Sequence, residues 1–219
     1  MKKLMLKQTM KTKILLCLAL VLSGYCRAAI TYPKAPDGGR QLVTANANEI
    51  LRSDPGFLAG FRIEELTIAN PYRNYYVGLT NLASGQLLAA VRPGGWTYLF
   101  MHGTNAVGAE ELIANEKTGN ALQFNGFYQS NFSNETLEAL RIAEKLPQTR
   151  KQDYEVRRLG SAPILFHALW LHGKSDDIII PLGATFGRWN ALQPYSESQM
   201  IKLLKPEAKK VLKQPNLLR

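Results

Sequence analysis

The run NYYVGLTNLASGQLLAAVRPGGWTYLFMH, residues 74–102, decides the fold class. It contains three segments of apolar, β-branched and aromatic residues, Asn74–Thr80, Gln86–Arg92 and Trp96–His102, separated by Ala83-Ser84-Gly85 and Pro93-Gly94-Gly95. Such side chains suit a pleated, half-buried surface. Links this short cannot carry a crossover, so the run reads as an antiparallel meander. Phe61–Ile68, closed by Asn70-Pro71, adds a strand before it.

Working outward, Asn105–Asn115 reads as a short helix after Gly103-Thr104, and Asn125-Gly126 reads as a tight hairpin turn between two aromatic-bearing strands. A helix is predicted over Asn134–Leu146, stopped by Pro147, followed by strands at Asp153–Leu159, Ile164–His172 and Asp177–Leu182. Before the sheet, Asn46 and Glu49 are spaced as a capping box for a short helix that ends near Ser53. The expected class is α+β: an antiparallel meander sheet with two or three covering helices, plus a C-terminal amphipathic helix. That last helix starts at a Ser196/Gln199 capping box, places Lys202, Lys205, Lys209 and Lys213 on one side, and breaks at Pro206 into a second short piece.

Five lysines and no acid in residues 1–13, followed by the apolar run Ile14–Leu22, have the form of a signal peptide. Small residues at Cys26 and Ala28 place cleavage after Ala28. Nine apolar residues fall well short of the roughly 20 that a membrane-spanning helix needs. A lipoprotein reading through Cys26 is opposed by bulky Tyr25 just before it. The expected organisation is a signal peptide over 1–28, an N-terminal extension with a short helix over 29–56, one α+β domain over 57–195 and a basic helical tail over 196–219. The destination is the periplasm or the exterior.

Processing there leaves 21 bases against 17 acids, a net charge of +4 in place of +10, with six of the bases after Met200. The body ahead of the tail is close to neutral, which gives no electrostatic case for nucleic acid. Both cysteines, Cys17 and Cys26, leave with the signal, so neither a disulfide nor thiol catalysis is expected of the mature chain.

The chemistry-bearing candidates are few. His167 and His172 are five apart in one predicted strand and so point to opposite faces, which rules out shared chelation. No spacing in the sequence suits a metal, and no cofactor is implied. Gly173-Lys174-Ser175 lacks the upstream glycine of a phosphate loop, because Ala168 holds that place. No Gly-x-Ser-x-Gly elbow is present. His102, at the end of an aromatic strand, with Glu110 or Glu111 on the following predicted helix, makes the one candidate catalytic acid/base pair.

Phe124, Asn125, Phe127 and Tyr128 mix rings with an adaptable amide and make the candidate ligand-binding surface. The leading expectation is therefore a non-catalytic binding or envelope accessory protein whose partner is an envelope component or another protein. The alternative is a hydrolase of an envelope polymer that uses the His/Glu pair. The C-terminal lysines add a candidate contact with an anionic membrane surface.

Overall fold

The computed structural model describes residues 28–114, 121–183 and 189–214; the signal-peptide reading and both cysteines lie outside the described residues. Among the described residues the elements run β1 (Ile30–Thr31), α1 (Gly39–Ser53), β2 (Thr67–Ile68), β3 (Tyr72–Tyr76), α2 (Leu79–Ser84), β4 (Arg92–His102), β5 (Asn105–Ala114), β6 (Ala121–Gln129), α3 (Ser130–Lys145), β7 (Tyr154–Ser161), β8 (Phe166–Gly173), β9 (Asp177–Pro181) and α4 (Glu197–Lys213). The class is α+β. The nine strands form one open sheet in the order β6-β5-β4-β3-β7-β8-β9, with β1 beside β7 and β2 beside β4.

The pairing is mostly antiparallel but not a pure meander, which corrects the sequence expectation. Two antiparallel halves, β3 to β6 and β7 to β9, meet where β3 and β7 run parallel, Arg73 opposite Arg157 and Asn74 opposite Arg158. The chain passes between the halves through α3, the kind of long connection that parallel neighbours require.

Local readings fail where burial overrides propensity. Gln86–Arg92 is not a strand, and the expected strand Asn74–Thr80 ends at Tyr76. Leu79 and Leu82, three apart, turn into the core as one face of α2, which Gly85 ends at φ +90. The stretch before β2 is two short 3-10 turns rather than a strand.

Residues 105–114 are β5, not a helix. Despite its helix-forming Ala and Glu residues, the segment is held between β4 and β6, and such pairing decides over intrinsic preference. Asn125-Gly126 is no turn: the two residues lie inside β6, at a register shift where Glu111 faces Gly126 and Leu112 faces Phe124. Helix α1 starts at Gly39, so Asn46 sits mid-helix rather than at a cap.

Helix α4 does begin at the Ser196/Gln199 box, with Ser196 N–H donating to Gln199 Oε1 at 2.8 Å. It runs unbroken through Pro206, contrary to expectation. Pro206 is exposed, so the Lys202 carbonyl deprived of its donor can face water. Met200, Leu204 and Ala208, four apart, are fully buried and pack α4 onto α2.

Each face of the sheet has its own cover. On one face, α3 buries Ala139, Leu140 and Ala143 against Leu99, Val156, Leu169, Leu171 and Ile180. On the other, α1 covers Trp96, Tyr98, Phe100 and Leu112, while α2 and α4 cover Phe166, Trp170 and Ile179.

Candidate functional site

Strand alternation sets the site. In β5, Glu110 faces α1 and Glu111 faces α3, and both carboxylates are buried. In β7, Tyr154, Val156 and Arg158 share the α3 face. Arg158 reaches across β3 and β4 so that its Nη1 lies 3.7 Å from Glu111 Oε2, with both side chains nearly sealed at 4% and 2% exposure. Gly95 makes room for the carboxylate, since a Cβ there would stand 2.9 Å from Glu111 Oε1 and 2.5 Å from the Leu112 carbonyl.

Glu111 is held by two phenols. Tyr76 donates to Oε1 at 3.0 Å and Tyr128 to Oε2 at 2.8 Å. The Arg158 guanidinium lies 4.4 Å from the Phe132 ring centre and 5.2 Å from that of Tyr128. Its Nη2 is 3.1 Å from His167 Nδ1. Arginine only donates, so Nδ1 is the acceptor and His167 is neutral with its proton on Nε2. Burial, and then the Arg158 charge, push His167 down to about 4. Burial also raises the Tyr76 and Tyr128 phenols above their ordinary range.

Donors are left over. Arg158 Nε and Nη1 and Asn74 Nδ2 are buried without a hydrogen-bond acceptor among the described residues, while Asn74 Oδ1 takes the Thr97 hydroxyl at 3.0 Å. Tyr76, Tyr128, Phe132 and His167 are each half-buried and form the rim. Chemically, the cluster is poorly equipped to move protons. Its carboxylate is tied to an arginine and two phenols, its phenols hold their protons tightly, and its histidine stays neutral near pH 7. It is well equipped to hold an uncharged polar group, because the Arg158 and Glu111 charges cancel while N–H groups remain to be accepted.

The residues singled out from sequence are distributed rather than gathered. His102 is exposed at the end of β4 and stacks on Phe61 at 3.9 Å. Glu110 lies opposite Tyr98, four residues and therefore roughly 13 Å along the strand from His102. Glu111 is on the other face again, so the candidate pair is not assembled.

Glu110 instead accepts from Asn46 Nδ2 of α1 at 2.6 Å, and its Oε2 has no partner among the described residues. Burial pushes its carboxyl up to about 7. Phe127 packs edge-on to Phe57 at 4.6 Å on the α1 side, with Phe124 half-exposed 5.4 Å away and Asn125 exposed at the bulge. Only Tyr128 of that foursome joins the Glu111 cluster.

His167 and His172 do occupy opposite faces; His172 Nδ1 lies 2.8 Å from Asp177 Oδ1. Among the described residues no group of His, Cys, Asp and Glu is placed to hold a metal, and no helix is long and apolar enough to cross a membrane.

Asn74 and Arg158 were not singled out in the sequence, and His167 entered only as excluded from shared chelation with His172. One signal was available: Arg158 interrupts the inward-facing series Tyr154, Val156, Arg158 of an otherwise apolar strand face. Comparison with known proteins finds no family model, no curated protein and no solved structure that matches this chain.

Proposed function

We propose that this is an exported, non-catalytic binding protein of the cell envelope, and that it holds an uncharged, hydrogen-bonding ligand at the Arg158–Glu111 cluster. One observation carries the reading: buried N–H groups of Arg158 and Asn74, without an acceptor among the described residues, lie beside the Glu111 carboxylate, which two phenols already hold, inside a half-buried aromatic rim. Leaving such donors unpaired costs about 1–3 kcal/mol each, a cost that a ligand carbonyl or hydroxyl oxygen would relieve. The rim supplies flat apolar faces of the kind that sugars and peptide backbones stack on. Export rests on the amino-terminal residues alone.

The test is capture of N-acetylated oligosaccharides and neutral tetrapeptides by the mature chain, with Tyr128→Ala and Phe132→Ala as comparators. Saturable capture of one class, weakened about tenfold or more in both variants, supports the proposal. Capture that does not change in variants with native circular dichroism rejects the site. Mass spectrometry of the natural protein tests export, which requires an amino terminus at Ala29.

A further inference from the structure

Ala29, Ile30 and Thr31, which follow the expected cleavage point, make a set of contacts that the binding reading does not use. β1 pairs parallel with β7, Ile30 opposite Tyr154 and Thr31 opposite Glu155. β8 lines the whole of β7 on one edge, and β3 lines the other edge from Arg157 to Gly160. β1 therefore lies in line with β3 and completes that edge at the amino end of β7. The buried Tyr154 depends on it: its N–H donates to the Ala29 carbonyl at 3.1 Å, and its carbonyl accepts from the Thr31 hydroxyl at 3.2 Å. Backbone groups withdrawn from water need such partners. Ile30 adds an apolar contact to the α3-face core.

The first nitrogen of the segment is engaged as well. Ala29 N–H donates to Asp153 Oδ1 at 2.8 Å, across 124 positions of sequence. Asp153 is exposed and immediately precedes β7, so the dipeptide Asp153-Tyr154 holds both the N–H and the carbonyl of Ala29. Glu144 of α3 and Arg150 of the turn after it line the recess beside Ala28 and Ile30. Those two are of opposite sign, which leaves Asp153 as the carboxylate in contact with the Ala29 nitrogen.

We infer that Asp153 receives the α-ammonium group that cleavage after Ala28 creates on Ala29, so that processing converts a neutral backbone hydrogen bond into an ion pair that fastens β1 to β7. The inference rests on the export reading for the position of the cut, and on nothing in the Arg158–Glu111 cluster. Hydrolysis of the Ala28–Ala29 peptide bond by water leaves a carboxylate on Ala28 and an amine on Ala29, which takes a proton near pH 7. The amide of the uncut precursor offers one proton and no charge. The ammonium offers three protons and a full positive charge, and charge-assisted hydrogen bonds are roughly twice as strong as neutral ones. A carboxylate in contact favours the charged form, so the amine titrates above its ordinary value of about 8. The added stability is then fully present below about 8 and is lost as pH rises through the raised value.

The experiment follows the Ala29 methyl resonance of the alanine-labelled mature chain from about pH 6 to about pH 11. Expected is a midpoint about half a unit or more above 8 that falls back to about 8 in Asp153→Asn, with Glu144→Gln moving it less. Acetylation of Ala29 keeps the N–H and removes the charge; the acetylated chain is expected to melt lower at pH 7, the difference vanishing above the midpoint of the amine. Tyr128→Ala is expected to leave the midpoint unchanged, so failure here is distinct from failure of the Glu111 cluster. Mass spectrometry of the natural protein separates the remaining outcomes. A terminus elsewhere than Ala29 removes the cleavage reading and this inference with it. A terminus at Ala29 whose amine titrates at or below about 8, or identically in wild type and Asp153→Asn, overturns this inference alone.

Discussion

Glu110 and Glu111 are neighbours in one strand, yet they experience opposite environments. Glu111, under α3, has an arginine and two phenols; Glu110, under α1, has one asparagine amide and an oxygen with no partner among the described residues. The 180° alternation of a strand is enough to separate a carboxylate paired with an arginine from one that burial drives toward its neutral form. Sequence adjacency therefore says nothing about shared chemistry here. Distant residues do share it: Tyr76, Glu111, Tyr128, Arg158 and His167 come from five different strands.

The strongest way to break the contrast is to remove Arg158. Stranding a buried charge costs roughly 3–5 kcal/mol, so Arg158→Met is expected to lower the unfolding free energy in urea by that amount. Pairing it with Glu111→Leu is expected to restore most of the loss, because replacing a whole buried pair with apolar residues is often close to neutral. A loss under about 1 kcal/mol in the single variant would mean that the α3-face pair is no more consequential than a surface one.

The second test sharpens the contrast through pH. The folded-state value of Glu110 is raised from 4.5 to about 7. Below 4.5 it is protonated in both states; between 4.5 and 7 the unfolded chain ionises first. Its contribution to stability therefore falls by about 3 kcal/mol as pH rises through that window, then levels. Glu110→Gln is expected to abolish this fall when denaturation midpoints are compared at pH 5 and pH 8.

His167 acts with the opposite sign. Its folded value is lowered from 6.5 to about 4, so stability is lost as pH falls from 6.5 toward 4, where the unfolded chain takes up the proton first. Asparagine at this position is expected to flatten the acid limb of the stability profile by less than Glu110→Gln changes the neutral one, because the ring is partly solvated. In the wild type the two slopes oppose each other, and the single variants uncover them. An imidazole resonance still titrating near 6.5 in the folded protein would remove the α3-face assignment of His167.

The smallest effect is expected at Phe124, 42% exposed on the outermost strand. Phe124→Ser is expected to shift stability by no more than about 0.5 kcal/mol in a thermal melt. A larger loss would place that ring in the α1-face core with Phe127.

Much of the second half of the sheet was legible beforehand. β7, β8, β9 and the start of α4 lie within a few residues of the segments read from alternation and from the Ser196/Gln199 box. The first half was harder. Leu79 and Leu87 sit in segments whose composition suits strands, and only their burial with Leu82 against α4 and β8 decides otherwise. Asn125-Gly126 has the composition of a hairpin turn, but the same latitude serves a bulge inside β6. Of the candidate site, Glu111 and Tyr128 were named from sequence, while their common partner Arg158 was not. A basic residue in a strand is ordinarily a solvated one; the inward-facing series of β7 was the one local signal, and it does not name Glu111 as the partner.

The amino-acid sequence by itself determined the α+β class, the helices α3 and α4 and the absence of familiar catalytic spacing, because periodicity and spacing are properties of contiguous residues. Only the tertiary structure decided that β3 lies parallel to β7, that Arg158 meets Glu111 and that Arg73 meets Arg157. Strand order and register join residues some 50 to 85 positions apart, and side-chain alternation repeats every two residues whichever strand lies alongside.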